Sequence, residues 1–403
     1  MFRTDFPLFS THPDIVFLDS ASSAQKPRAV IDAMNKYLET SYSNIHRWAY
    51  DLSMESSLLY DRAKKAVAEK LSCRADEIVF TYNATYAFNF ITRSLVKSGL
   101  LTKWDRVLLS KVDHHANIVP WQILAEEYDI IIDWADIHPD GTLDYDSLSA
   151  KLPHAKVLSI TWASNVTGEI LDLSRVKNVI DTLSQKPLFI LDGSQRFPHM
   201  TTDVIKYGVD FFVATGHKVM SDTGIGFFYG RKELLREMHP ALCGGGAINS
   251  VSTDGYEAAG LPFRHEPGTP HIVGAVSLLA SLEYIDSVGG YEAIEKYEKE
   301  LIVYALEKFE EAGFLSPESR IRLLGSSIPE NRLGVFSFVF RDHHPNDVAE
   351  MLADAGICVR AGHHCTDPLH QALGIWGSLR ASLYLYNTRE DVERFISVLQ
   401  KVF

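Results

Sequence analysis

Short apolar runs alternate with stretches of helical hydrophobic spacing from about residue 14 to 240. Pro27 opens one such stretch. Val30, Ile31, Met34, Tyr37 and Leu38 then fall on one face, which predicts a helix. The same spacing predicts helices over 53–71, 85–95, 118–128 and 174–183, with Pro120 tolerated in the first turn of the third. Between them, runs at 78–80, 106–109, 130–134, 157–161, 188–191, 211–214 and 225–229 read as strands. Several are apolar on both faces, as a mostly parallel sheet covered by helices on both sides requires.

A Gly/Pro-rich stretch over 244–274 breaks the pattern and reads as loops. Beyond it the spacing predicts helices over 272–288 and 291–312. Strands at 335–340 and 357–360 follow, in what suits a smaller α+β domain. The chain therefore reads as α/β. A large domain is expected over 14–280 and a small C-terminal domain over 281–403, with residues 1–13 packed on the latter.

Composition narrows the class. The 403 residues, 46% hydrophobic and 23% charged, are ordinary for a globular protein and exclude a disordered tail, a collagen-like repeat or a disulfide miniprotein. Lys+Arg 39 against Asp+Glu 52 leaves a net charge of −13, which argues against a partner held by phosphate neutralisation, so no nucleic acid is expected. No apolar run reaches the length of a bilayer span, and residues 1–7 lack the basic start and apolar core of a signal peptide, so no membrane is expected either. The four cysteines form no C-x-x-C pair, which makes the reducing cytoplasm the expected compartment.

In α/β folds the chemistry gathers at the carboxyl ends of parallel strands. The run 188–191 ends in Asp192-Gly193-Ser194-Gln195, and the run 211–214 ends in Thr215-Gly216-His217-Lys218. A desolvated lysine there becomes a Schiff-base amine, and a buried aspartate on a neighbouring strand end holds a pyridinium nitrogen protonated. That combination suits pyridoxal phosphate. His114, in Asp113-His114-His115, offers an imidazole to stack on a flat ring, and Asn165 a hydrogen bond beside it. Thr85, at a helix start, suits a phosphate. Taken singly, the lysine is better read as a solvated loop residue and the aspartate as a helix cap, and the others equally well as surface histidines, a turn asparagine and an N-cap threonine.

A second centre lies in Arg360-Ala361-Gly362-His363-His364-Cys365. A thiol beside histidines and an arginine in a glycine-hinged loop is poised to be reactive. A turn cysteine, or a metal ligand with His363 and His364 near His343-His344, remains the alternative, although no spacing matches a zinc pattern. Arg380 is suited to a bidentate grip on a carboxylate, with a structural salt bridge as the competing role.

These residues, with the segments 19–27 and 114–121, Gly268-Thr269-Pro270 and Arg380-Ala381-Ser382, resemble cysteine desulfurases of the Suf type. Those belong to the class V aminotransferase group of fold-type I pyridoxal phosphate enzymes. The resemblance runs nearly the whole chain, and the Gly-His-His-Cys element is its most specific part. It implies that Lys218 carries the cofactor and moves protons, Asp192 pairs with the ring nitrogen, His114 stacks and Gln195 meets the phenolic oxygen. Ala84, Thr85, Thr215 and His217 would border the phosphate, with Thr269 reaching in from the partner of a homodimer. Asn165 and Arg380 would hold the substrate carboxylate and Arg360 would border the site. Cys365, on a mobile loop, would take sulfur from L-cysteine, release alanine and pass a persulfide to a Suf-system acceptor for iron–sulfur cluster assembly.

The chain departs from the family pattern at four places. Ala84-Thr85-Tyr86 replaces Thr-Thr-Glu, Tyr50 replaces a histidine, Ser194 an alanine and His271 an asparagine. Rival readings are a selenocysteine lyase acting on L-selenocysteine, another class V aminotransferase, and a non-enzymatic sulfur-relay or metal-binding scaffold. A Rossmann dehydrogenase fits poorly, because Gly224-Ile225-Gly226 lacks the third glycine.

Overall fold

The computed structural model describes residues 2–46 and 50–402. Its largest element is a seven-stranded sheet. The strands are β1 (Ile78–Thr81), β2 (Arg106–Ser110), β3 (Ile131–Ala135), β4 (Val157–Thr161), β5 (Leu188–Asp192), β6 (Phe211–Thr215) and β7 (Gly226–Gly230). Their spatial order is β3-β2-β4-β5-β6-β7-β1. Neighbours from β3 to β6 pair in parallel, whereas β7 runs antiparallel to both β6 and β1. The central strands β4, β6 and β7 are buried along their whole length, which explains why their sequences show no alternation.

Helices cover both faces. On one side α1 (Arg28–Thr40), α2 (Asp51–Leu71) and α5 (Ile272–Ser287) close over one apolar cluster. On the other, α3 (Ala84–Lys97) and α4 (His115–Tyr128) close over a second, around Phe88, Ile91 and Trp121. Helix α4 starts three residues earlier than its hydrophobic spacing suggests, because the side chain of His114 caps it. Pro120 therefore lies in the second turn, where its missing N–H leaves the Ala116 carbonyl without a helical donor.

The small domain is built on a four-stranded antiparallel sheet of β8 (Ile321–Leu323), β9 (Val335–Phe340), β10 (Arg360–Gly362) and β11 (Ser378–Ser382), in the order β8-β9-β11-β10. Its core gathers Phe309, Phe336, Phe338 and Phe395. The expected changeover at 280/281 falls inside α5, a helix buried nearly all round against the large sheet. The chain instead crosses between cores along α6 (Gly290–Glu311): Tyr291 and Ile294 belong to the large core, Leu301 to Phe309 to the small one. Val16–Phe17 pairs in parallel with Ile357–Cys358, which places this N-terminal strand in the small domain. Residues before it bridge both bodies. Phe6 packs on Tyr284 and Tyr386, and Arg3 pairs with Asp391. The stretch 244–274 is not all loop, since Ile248–Val251 and Tyr256–Ala258 form an exposed antiparallel hairpin.

One glycine bears directly on the site. A Cβ on Gly193 would lie 2.0 Å from the ring of Phe212, itself fully buried against Phe197 and Phe227. Gly193→Ala is therefore expected to lower stability by about 2 kcal/mol or more, the cost of overpacking a rigid core, read as a drop in the denaturant midpoint at unchanged slope.

Candidate active site

A cavity of about 410 Å³ opens where the carboxyl ends of the parallel strands meet the small domain. Asp192 comes from the end of β5, His114 from the segment after β2, Thr161 and Ala163 from the end of β4, and Lys218 from the single 3-10 turn after β6. Because β7 is antiparallel, its entry residue Gly224 reaches the same end. Arg360 and Arg380, on neighbouring small-domain strands, close the opposite wall.

Asp192 is buried, and its Oδ1 accepts the Ser194 N–H at 2.9 Å. Burial pushes its pKa upward, and the attraction of Lys218 opposes the shift. Lys218 shows the converse. Burial lowers its amine to about 8, against the pull of Asp192, with Arg380 and Arg360 lowering it further. Above that value the amine is neutral and nucleophilic. The initial rate at which pyridoxal phosphate is taken up by cofactor-free protein should thus climb with pH through a midpoint near 8, and not near the ordinary lysine value of about 10.4. Absorbance gained against pH checks this.

His114 Nδ1 accepts the Ala116 N–H at 3.0 Å, which fixes the ring at the cavity wall. Burial, followed by the nearby charge of Lys218, holds its pKa down to about 3, so the imidazole is neutral. Behind it Asp113 takes the N–H groups of Ser110 and Thr161 and so ties the ends of β2 and β4. Asn83 caps α3 by accepting the Tyr86 N–H at 2.9 Å, leaving the Ala84 and Thr85 N–H groups without helical partners. Thr215 Oγ1 stands 2.9 Å from His217 Nδ1 beside them. Burial lowers His217 to about 4. Gln195 Nε2 donates to the Ala21 carbonyl at 3.0 Å.

Arg380 is buried and donates to the Asn165 carbonyl at 3.0 Å, to Asp19 Oδ1 at 3.1 Å and to Ser22 Oγ at 2.7 Å. Burial lowers its pKa to about 10, against the pull of Asp19. Its Nε has no hydrogen-bond partner among the described residues. Arg360 donates to Ser22 Oγ at 3.0 Å, and its second terminal nitrogen lies 3.9 Å from the Cys365 sulfur. The cavity wall ends at Arg360 and His364, with Cys365 half-buried next in sequence.

Asn165 lines the cavity, and its amide also serves the cysteine segment. Its Nδ2 donates to the His364 carbonyl at 2.7 Å and its Oδ1 accepts from Thr366 Oγ1 at 3.0 Å, so it holds the cysteine segment. Further hydrogen bonds hold that segment in this structure. His115 N–H holds the Cys365 carbonyl at 2.8 Å, and His363 is bonded to both Asp367 and the Trp376 carbonyl. His364 and Cys365 are held at φ of 53° and 58°, a left-handed geometry that non-glycine residues adopt under constraint.

Thr269 is exposed and outside the cavity of this chain. Tyr50 is exposed, with its hydroxyl 2.8 Å from Ser43 Oγ; Arg47, Trp48 and Ala49, in the same motif, lie outside the described residues. Tyr86 packs edge-on against Tyr82, and His271 Nδ1 lies 3.2 Å from the Gly224 carbonyl. Among the described residues no group of three or more His, Cys, Asp and Glu side chains is arranged to hold a metal ion. No single helix there is long and apolar enough to cross a membrane.

The cavity fits pyridoxal phosphate on its own chemistry. It offers a buried carboxylate in need of a cationic N–H partner, a neutral imidazole and an amine that deprotonates near pH 8. An anion cradle at a helix N-terminus completes it. This is the site of a fold-type I pyridoxal phosphate enzyme. The class V aminotransferase model matches residues 16–395, and the chain belongs to that family. It is 38% identical, over 99% of its own length and 94% of the relative's, to a probable cysteine desulfurase of Xylella fastidiosa (strain 9a5c). Among solved structures it is similar to the apo cysteine desulfurase of Thermococcus onnurineus NA1. There the TM-score is 0.92 at 32% identity, covering 99% and 96% of the two chains. It is likewise similar to a cysteine desulfurase of Escherichia coli in an S-sulfonic acid form, with a TM-score of 0.87 at 31% identity over 99% and 97%.

The residues that sequence reasoning missed are those that hold others in place: Asp19 and Ser22 behind the arginines, Asn83 as the cap of α3, and His115 and Thr366 on the cysteine segment. Only Asn83 carried a local signal, as a cap residue directly before a helix.

Proposed function

We propose that this pyridoxal phosphate-dependent enzyme is a cysteine desulfurase that takes sulfur from L-cysteine onto Cys365 and releases L-alanine. The observation that supports this reading is one thiol 3.9 Å from Arg360, which lines the cavity together with Lys218 and Asp192. Pyridoxal phosphate supplies an electron sink for the substrate's Cα–H bond. Lys218 would hold the cofactor and, once displaced by the substrate amine, move the proton between Cα and the cofactor. Asp192 would keep the ring nitrogen protonated, and neutral His114 would cover one face. Arg380, on the cavity wall, would bind the substrate carboxylate. The Cys365 sulfur attacks the substrate sulfur. An S–S bond forms, the C–S bond breaks, and its electron pair remains on carbon, which takes a proton to become the methyl group of alanine. The persulfide then needs a thiol acceptor. A Suf-system protein serving iron–sulfur cluster assembly fits that role, and a homodimer fits the exposed Thr269, which would reach a partner's phosphate cradle.

Purified holoenzyme given L-cysteine and dithiothreitol should release alanine and sulfide in equal amounts. Alanine without sulfide, or neither product, would overturn the reading. L-selenocysteine offered in parallel measures the sulfur-to-selenium preference, and a strong bias to selenium would favour a selenocysteine lyase.

A further inference from the structure

The Ser22 hydroxyl is saturated. It donates to Asp19 Oδ1 at 2.7 Å and accepts from Arg380 at 2.7 Å and from Arg360 at 3.0 Å. One donor and two acceptor positions are all that a hydroxyl has. Two guanidinium groups thus converge on one oxygen, with the Asp19 carboxylate behind it supplying the opposing charge. Their dependence on it differs. Arg380 keeps Asp19 and the Asn165 carbonyl without Ser22, whereas Arg360 has no other hydrogen-bond partner among the described residues except the Cys365 sulfur at 3.9 Å.

We propose that Ser22 is a positioning residue, which anchors Arg360 so that its free end is held at the Cys365 sulfur while Arg380 is left to bind the substrate carboxylate. The inference rests on the desulfurase reading for its kinetic consequence but not for its geometry. Arg360 has several rotatable bonds. Fixing one terminal nitrogen on Ser22 aims the other at the thiol, where a positive charge stabilises the negative charge that gathers on sulfur as it reacts, and the persulfide that replaces it. Asp19 keeps the two cations from repelling each other out of this arrangement.

Ser22→Ala should release Arg360 and leave Arg380 largely in place. The expected result is a kcat about 10- to 100-fold lower, the scale of a small misplacement at a reacting centre, with KM for L-cysteine changed by about twofold or less, since the carboxylate grip survives. The rate of iodoacetamide labelling at Cys365 in the holoenzyme at pH 7.5, followed by peptide mass mapping, should fall severalfold. Labelling at exposed Cys243 should not change and serves as the internal reference. Ser22→Thr, which keeps the hydroxyl, should restore both readings. Equal effects of the alanine and threonine variants, or unchanged Cys365 labelling in the alanine variant, would overturn the proposal. The labelling arm needs no turnover. Failure of wild-type enzyme to make alanine would therefore count against the desulfurase reading, while the Ser22 geometry would be judged on labelling alone.

Discussion

Exchange of Cys365 for alanine is expected to cut alanine release from L-cysteine by at least about 10³-fold, as loss of a sole nucleophile does, with the absorbance of the bound cofactor unchanged. The substitution is clean for a structural reason. Cys365 is held at a φ of 58°, and alanine carries the same Cβ, so the left-handed strain is not altered. The segment is fastened by its carbonyl to His115 N–H and by its neighbours to Asn165 and Ser378, none of which involves the sulfur. Selenium leaves carbon more readily than sulfur, so turnover of L-selenocysteine should survive better than that of L-cysteine. Alanine formed from L-cysteine at equal rates by both proteins would remove the thiol from the mechanism and point to another class V aminotransferase.

Exchange of Lys218 for alanine should be as severe and differently expressed. The amine is asked both to tether the cofactor and to move a proton, and losing the second task alone costs up to about 10⁴-fold. The variant should still bind pyridoxal phosphate through the α3 N-terminus, Thr215, His217 and Asp192, but borohydride should no longer fix it to the protein. Its stability gives a second check. A lysine held near pKa 8 binds protons less well folded than unfolded, so it disfavours the folded state below pH 8. That penalty is relieved as pH rises from 8 toward the unfolded value of about 10.4. Cofactor-free Lys218→Ala should therefore be more stable than cofactor-free wild type at pH 7, and the difference should shrink by pH 10.

Most of the large sheet was legible because its strands are buried on both faces and flanked by helices with one apolar stripe. The ends were less so. The start of α4 hid behind a capping histidine, an unusual cap, and the largely exposed hairpin at 248–258 carries no apolar alternation. Within the site, Asp192 announced itself as a polar residue directly after an apolar run, and Lys218 as a lysine in the short turn beyond another. The network behind them did not. Ser22 and Arg360 meet across 338 positions of chain and Asp19 and Arg380 across 361, a pairing that no local pattern encodes. The same holds for Asn165. Its side chain lines the cavity as its type suggests, but its bonds to His364 and Thr366, 199 and 201 positions away, follow from no local pattern.

The most direct test joins the amine and the thiol in one protein. Holoenzyme is divided. One half is reduced with borohydride and digested, and the other is given L-cysteine, trapped with an alkylating agent and digested. The account predicts the reduced cofactor on the peptide containing Lys218 and one added sulfur on the peptide containing Cys365. The cofactor on any other lysine, or the sulfur on Cys73, Cys243 or Cys358 in place of Cys365, would contradict it.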